Sequence, residues 1–185
     1  MSGGVTVSKD GVPALLAAIK DLTLKRVMVG VPAENAERPD EKANNALIGY
    51  VLETGDPSRN LPARPFLVPG VQSVQEEAER RLEKAGKSAL EGRRSDVQAQ
   101  LTSVGLICAA AVKDKMDTGP FAPLADATLR ARIRAKKGGD AAAAEELANR
   151  KAGQPPGTEL VPPLYDTGNL QNSVAYVIRD IRTRR

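Results

Sequence analysis

The sequence contains no histidine and no tryptophan, a single cysteine, two phenylalanines and three tyrosines among its 185 residues. Each scarcity excludes chemistry. Without histidine there is no Ser-His-Asp or Cys-His catalysis, no His-ligated zinc and no imidazole pH switch. One cysteine, Cys108, permits neither an intrachain disulfide nor a cysteine metal cluster. Aromatics at 3% leave few platforms on which bases could stack. No apolar run is long enough to span a bilayer; the longest, 104–112, covers less than half the required length. The first ten residues show no cationic start followed by an apolar run, so no signal peptide is expected. No phosphate-cradling glycine pattern occurs, and the acidic residues Glu76, Glu77 and Glu79 lie beside Arg80 and Arg81 rather than forming a metal cage. These absences lead us to expect a protein of cytosolic assembly, without catalytic residues, cofactor, metal or membrane partner.

What remains is ordinary for a folded chain. Apolar residues make up 41% and charged residues 27%, with 27 Lys and Arg against 23 Asp and Glu, a net charge of +4. One domain is expected over 1–185. Apolar periodicity predicts helices over 12–22, 41–54, 71–90 and 96–116. In the second, Ala43, Ala46, Leu47, Tyr50 and Val51 share a face, and Gly55 is placed to end the helix. In the third, Glu77–Arg81 and Glu83–Lys87 stand at i, i+4. The last two helices are expected to form an antiparallel hairpin, with Ser95 as the cap of its second arm and Cys108 buried on an apolar stripe with Val104 and Val112. Two runs, 26–31 and 173–178, read as strands. Between 56 and 69 lie four prolines, which predict an extended, fixed loop. From 120 to 163 the composition turns to Ala, Gly, Pro and basic residues. Short helices are expected there after caps at Asp126 and Asp140, in a peripheral insertion whose 138–163 portion adds little to the core. The expected fold class is therefore α+β, a small antiparallel or mixed sheet packed against long amphipathic helices.

Three features invite function. Asp117-Thr118-Gly119 and Asp166-Thr167-Gly168 are paired Asp-Thr-Gly triads, the pattern of an aspartic hydrolase in which two carboxylates share a proton. Their surroundings read better as turns, with Asp bonding nearby backbone and Gly at positive φ. Arg130, Arg132, Arg134, Lys136 and Lys137, and Arg182, Arg184 and Arg185, form basic segments that suit either phosphate backbone or an acidic protein neighbour. In the proline loop, Phe66 is a large anchor for a core or a neighbouring subunit's pocket, and Arg64 is shaped to pair a carboxylate bidentately.

Three segments resemble a known family. Ile48-Gly49-Tyr50-Val51-Leu52-Glu53-Thr54-Gly55 followed by Asn60-Leu61-Pro62-Ala63-Arg64-Pro65-Phe66-Leu67 is the first. Thr118-Gly119-Pro120-Phe121-Ala122-Pro123-Leu124 is the second, and Pro163-Leu164-Tyr165-Asp166-Thr167-Gly168-Asn169-Leu170-Gln171-Asn172-Ser173-Val174 the third. In this order they resemble the virion-morphogenesis proteins of tailed bacteriophages, also called neck or tail-completion proteins. The resemblance implies a structural virion protein of a long-tailed phage, forming a cyclic homo-oligomer of about six or twelve copies at the head–tail junction. It implies head-completion or connector proteins and tail-terminator proteins as neighbours, assembly in the host bacterial cytoplasm, and genomic DNA passing through the lumen. Arg64, Phe66 and Leu67, with the basic end Arg182, Arg184 and Arg185, are the expected interface residues. The alternatives are a tail-terminator ring capping the tail tube, an aspartic hydrolase using Asp117 and Asp166, and a DNA-binding accessory protein.

Overall fold

In the computed structural model, the described residues are 11–37, 44–136 and 138–181. Among them are eight α-helices and one two-stranded sheet, an α+β arrangement. Helix α1 (Val12–Thr23) leads into strand β1 (Lys25–Gly30). Helix α2 (Asn45–Thr54) precedes the proline loop. Helices α3 (Leu67–Ser73), α4 (Gln75–Leu90) and α5 (Arg94–Thr118) follow. Then come α6 (Asp126–Ala135), α7 (Ala141–Lys151), the short α8 (Asn169–Ser173) and strand β2 (Ala175–Asp180).

Helix α5 is the axis of the molecule. Its buried stripe, Val97, Leu101, Val104, Gly105, Cys108, Ala109, Val112 and Met116, recurs at helical spacing and meets three partners. Helix α4 packs along it as the first arm of the expected hairpin. Helix α3 crosses it at Gly70, where an added Cβ would lie 2.7 Å from the Val112 Cα. The sheet lies on it at Gly105, where an added Cβ would overlap the Tyr176 ring. Strands β1 and β2 pair antiparallel, from Lys25 opposite Asp180 to Gly30 opposite Ala175. Val27, Val29 and Ile178 turn toward the helices, whereas Met28 faces outward and is half exposed. The first core gathers Phe66, Val112, Met116, Leu164, Leu170 and Val174. A second, with Ala89, Val97 and Leu101, sits under Leu22, Val27 and Ile178.

Several expectations are corrected. The 71–90 helix is two helices: the chain enters α3 already at Leu67 and breaks at Val74, whose ψ of 17° departs from helical geometry. Pro69 lies in the first turn of α3, where a missing N–H costs nothing. Helix α2 begins after Asn44, whose Oδ1 accepts from Leu47 N at 2.8 Å; residues 41–43 lie outside the described residues. Its buried face is also different. Asn45, Ile48, Gly49 and Leu52 turn inward at i, i+3, i+4 and i+7, while Leu47 and Tyr50 are 54% and 67% exposed. Gly49 stands against the first core, where a Cβ would make ordinary contact with Phe66 and Leu170 at 3.7 and 3.6 Å. Ser95 does not cap α5, since Arg93 holds that position, and Asp126 is the first residue of α6 rather than its cap. Asp140 does cap α7, accepting from Ala143 N at 3.2 Å. Strand β1 starts at Lys25, where the strand was expected to begin at 25 or 26, and stops one residue short, at Gly30; β2 begins two residues later than expected, at Ala175, because Ser173 closes α8 with its hydroxyl on the Leu170 carbonyl.

The 120–163 segment has a core of its own, contrary to expectation for 138–163. Leu124, Leu129, Ala143, Leu147 and Val161 are buried together. Glu146, only 5% exposed, accepts from Arg150 Nε at 2.8 Å and from Gly157 N at 2.9 Å. Arg150 Nη1 in turn donates to the Leu124 carbonyl and to Asp126, each at 2.8 Å. A few leucines and alanines, locked by one buried ion pair, replace the large apolar residues that the composition lacks.

Candidate functional site

The proline loop is fixed before any partner is considered. Asp56 and Leu61 exchange backbone hydrogen bonds, each 2.9 Å, around a single 3₁₀ turn over Pro57–Arg59. Asp56 Oδ1 accepts from Ser58 N at 3.1 Å, and Asn60 takes the left-handed conformation at φ 54°. Gly55 is required where it stands: its φ is 75°, and a Cβ would lie 2.8 Å from Ala63 N.

From this loop three residues reach into the rest of the chain. Glu53, at the end of α2, turns its carboxylate onto the start of α3. Oε2 accepts from Phe66 N and Leu67 N, both at 2.8 Å, and Oε1 accepts from Val68 N at 3.0 Å. The fourth donor position is Pro69, which has none, so the unpaired N–H groups of this helix start are all accounted for. Arg64 is 5% exposed and donates from Nε to the Ala122 carbonyl at 2.8 Å and from Nη2 to the Pro123 carbonyl at 3.0 Å. Its partners are carbonyls and not the expected carboxylate. Burial, and after it the nearby Arg132 charge, draw its pKa below the ordinary guanidinium value. Phe66 is 2% exposed, in the first core with Leu164, Leu170 and Val174. Of its two expected roles, the within-chain staple is the one the geometry displays. Leu67 is half-buried against the same core.

The three segments that carry the sequence resemblance thus meet at one place. Glu53, Arg64 and Phe66 belong to the first, Ala122 and Pro123 to the second, Leu164, Leu170 and Val174 to the third. Arg132 continues the connection, donating to the Tyr165 carbonyl at 3.0 Å. The sequence placed Arg132 only in the basic segment and gave Glu53 no role of its own. The signal for Glu53 was present: a helix starting at Phe66 and Leu67 has no Ser, Thr, Asp or Asn to cap it, so an acceptor must come from elsewhere.

Both Asp-Thr-Gly triads place glycine at positive φ, 60° at Gly119 and 75° at Gly168, but only the second is a turn; Asp117 and Thr118 are the last residues of α5, with Gly119 as its C-cap. Their aspartates do not bond nearby backbone as expected. Asp117 accepts from Gln171 Nε2 at 2.8 and 2.9 Å. Asp166 faces Arg132 Nε at 3.8 Å and Lys136 Nζ at 3.5 Å. The two carboxylates are thus held by different partners, whereas an aspartic hydrolase needs them to share a proton. Cys108 is buried, and desolvation raises its thiol pKa. Among the described residues no three acidic or thiol side chains are grouped to hold a metal ion, and no helix is long and apolar enough to cross a membrane. Arg182, Arg184 and Arg185 lie outside the described residues, as does Lys137 of the basic segment.

The exposed surface next to this node is apolar. A groove of about 220 Å³ runs between Gly30–Val31, Gly49–Tyr50 of α2 and Phe66–Leu67. Tyr50 lines it and is exposed; Leu47 of the same helix and Val68, next to Leu67, are exposed too, and Met28 lines an adjoining groove that shares Gly30 and Val31. No protein-family model, no curated protein and no solved structure matches this chain.

Proposed function

We propose that this chain is a structural subunit of the neck of a long-tailed bacteriophage, forming a closed ring of six or twelve copies where head and tail join. The observation that carries the reading is the convergence of the three resembling segments on one buried node. They are far apart in sequence, yet Arg64 binds the second segment and Phe66 packs against the third, while Glu53 fixes the backbone that carries Phe66. Such a node makes a stiff subunit and holds no nucleophile, base or metal cage. It supports a protein whose work is to keep its shape under load.

Ring closure requires head-to-tail contact between unlike surfaces. The node consumes Arg64 and Phe66 internally, so the subunit contact falls on its exposed flank: Leu47, Tyr50, Val68 and Met28. An apolar cluster of this kind marks a protein interface. The sheet adds to it, because among the described residues each strand pairs along one edge only. The neighbours in such a neck are head-completion or connector proteins on one side and tail-terminator proteins on the other. Gold-labelled antibody against the chain, applied to intact particles, should mark the head–tail junction. Particles made without the chain should accumulate as unjoined heads and tails. Label on the capsid shell or tail tip, or full yields of joined particles without the chain, would refute the proposal.

A further inference from the structure

A second cleft opens on the opposite side of the proline loop. It measures about 840 Å³ and lies between Pro57, Leu61 and Pro62 on one wall and Pro123 and Thr128 on the other. Arg64 and Arg132 line it, and no Asp or Glu does. Each guanidinium is only partly used. Arg64 employs Nε and Nη2 on carbonyls, and Arg132 employs Nη1. Among the described residues neither Arg64 Nη1 nor Arg132 Nη2 has a hydrogen-bond partner. The nearest compensation for Arg132 is Asp166 at 3.8 Å, beyond hydrogen-bond reach and shared with Lys136. Two like charges therefore border one apolar cleft with donors to spare.

We propose that this cleft receives an acidic, aliphatic stretch of a partner protein in extended form, one carboxylate engaging the unused N–H groups of Arg64 and Arg132. The charge selects an anion, and guanidinium donors suit a carboxylate. Prolines, leucines and alanines make up most of the walls, with Thr54, Asn60 and Thr128 among them and no aromatic ring, so they accept aliphatic side chains and offer a base nothing to stack on. Several acids of a second copy are already engaged within its own fold. The acids of α4 alternate with cations and are paired, Glu77 with Arg80 and Arg81, Glu83 with Lys87, and Glu146 of α7 is buried. The inference stands on the cleft and does not depend on the virion reading, so either can fail alone.

The test uses the full chain and an acetylated octapeptide of alternating Glu and Leu, carrying an uncharged dye and followed by fluorescence anisotropy. Its Gln/Leu counterpart and a dodecameric oligo-dT serve as rivals. Thr128→Glu is the decisive variant. Thr128 is exposed in the first turn of α6, where a glutamate favours the helix, and its carboxylate would occupy the arginines from within. The Glu/Leu peptide should bind, and Thr128→Glu and Arg132→Gln should each weaken it roughly tenfold or more, with the circular dichroism and melting temperature of Thr128→Glu unchanged. Equal binding of the Gln/Leu peptide, or no loss in Thr128→Glu, would overturn the proposal. Displacement by oligo-dT would assign the cleft to nucleic acid instead. Loss of self-association in Thr128→Glu would assign it to a second copy.

Discussion

At the residue scale, the node depends on two charged side chains that meet backbone rather than each other. Glu53 is the outside cap of a helix that has no cap of its own. Glu53→Ala leaves three N–H groups without an acceptor and should cost about 2–4 kcal/mol. Glu53→Gln retains an acceptor oxygen and should cost less than half as much. Urea unfolding of the two variants checks the order; equal losses would mean that the side chain matters only for packing. Phe66 was legible as a large apolar anchor, since an aromatic after two prolines has a fixed approach. The partner of Arg64 was not. A guanidinium is satisfied by a carboxylate or by two carbonyls, and only the fold brings Ala122 and Pro123 to it.

At the element scale, α5 works because it carries gaps as well as bulk. Gly70 of α3 meets Val112, and Gly105 admits the Tyr176 ring. Gly105→Ala should push the sheet from the helix and destabilise the protein by about 1–3 kcal/mol, although alanine is the better helix former. A lowered melting temperature together with altered near-ultraviolet dichroism of tyrosine would confirm the contact, and an unchanged or raised melting temperature would deny it. Long periodic elements were legible: α5 was expected within two residues of its ends, and the ion pairs Glu77–Arg81 and Glu83–Lys87 form as spaced, at 2.7 and 2.6 Å. The inward face of α2 was not. Periodicity counts Leu47 and Tyr50 as core because they are apolar, and gives no weight to Asn45 and Gly49, which are the buried residues of the helix. The 138–163 core was missed for a related reason. Small residues around a buried Glu146–Arg150 pair resemble surface when judged by composition.

At the scale of the whole molecule, the small core of the 120–163 segment is separate from the two cores along α5, and Arg64 and Arg132 tie them together. The small core should be the acid-sensitive part. The Gly157 N–H first, and the Arg150 guanidinium second, hold the Glu146 pKa below its ordinary value. A carboxyl depressed in the folded state stabilises it above the unfolded pKa of about 4.3, and that stability is lost as pH falls through the folded value. Hydrogen exchange should therefore rise in α6 and α7 below about pH 4 while α5 stays protected. Glu146→Gln should remove that pH dependence, and uniform opening of α5 with α7 would contradict the division. The division bears on assembly, for a subunit in a ring must pass force between neighbours through the larger core, where Leu47, Tyr50 and Val68 are exposed. The proposed function requires these subunits to close into a ring. Negative-stain electron microscopy of the full-length chain tests it most directly. Closed particles of sixfold or twelvefold symmetry are predicted, and they should disperse to single subunits in Tyr50→Glu. A wild-type chain that remains monomeric at every concentration imaged, or that forms only twofold dimers, would contradict the claim.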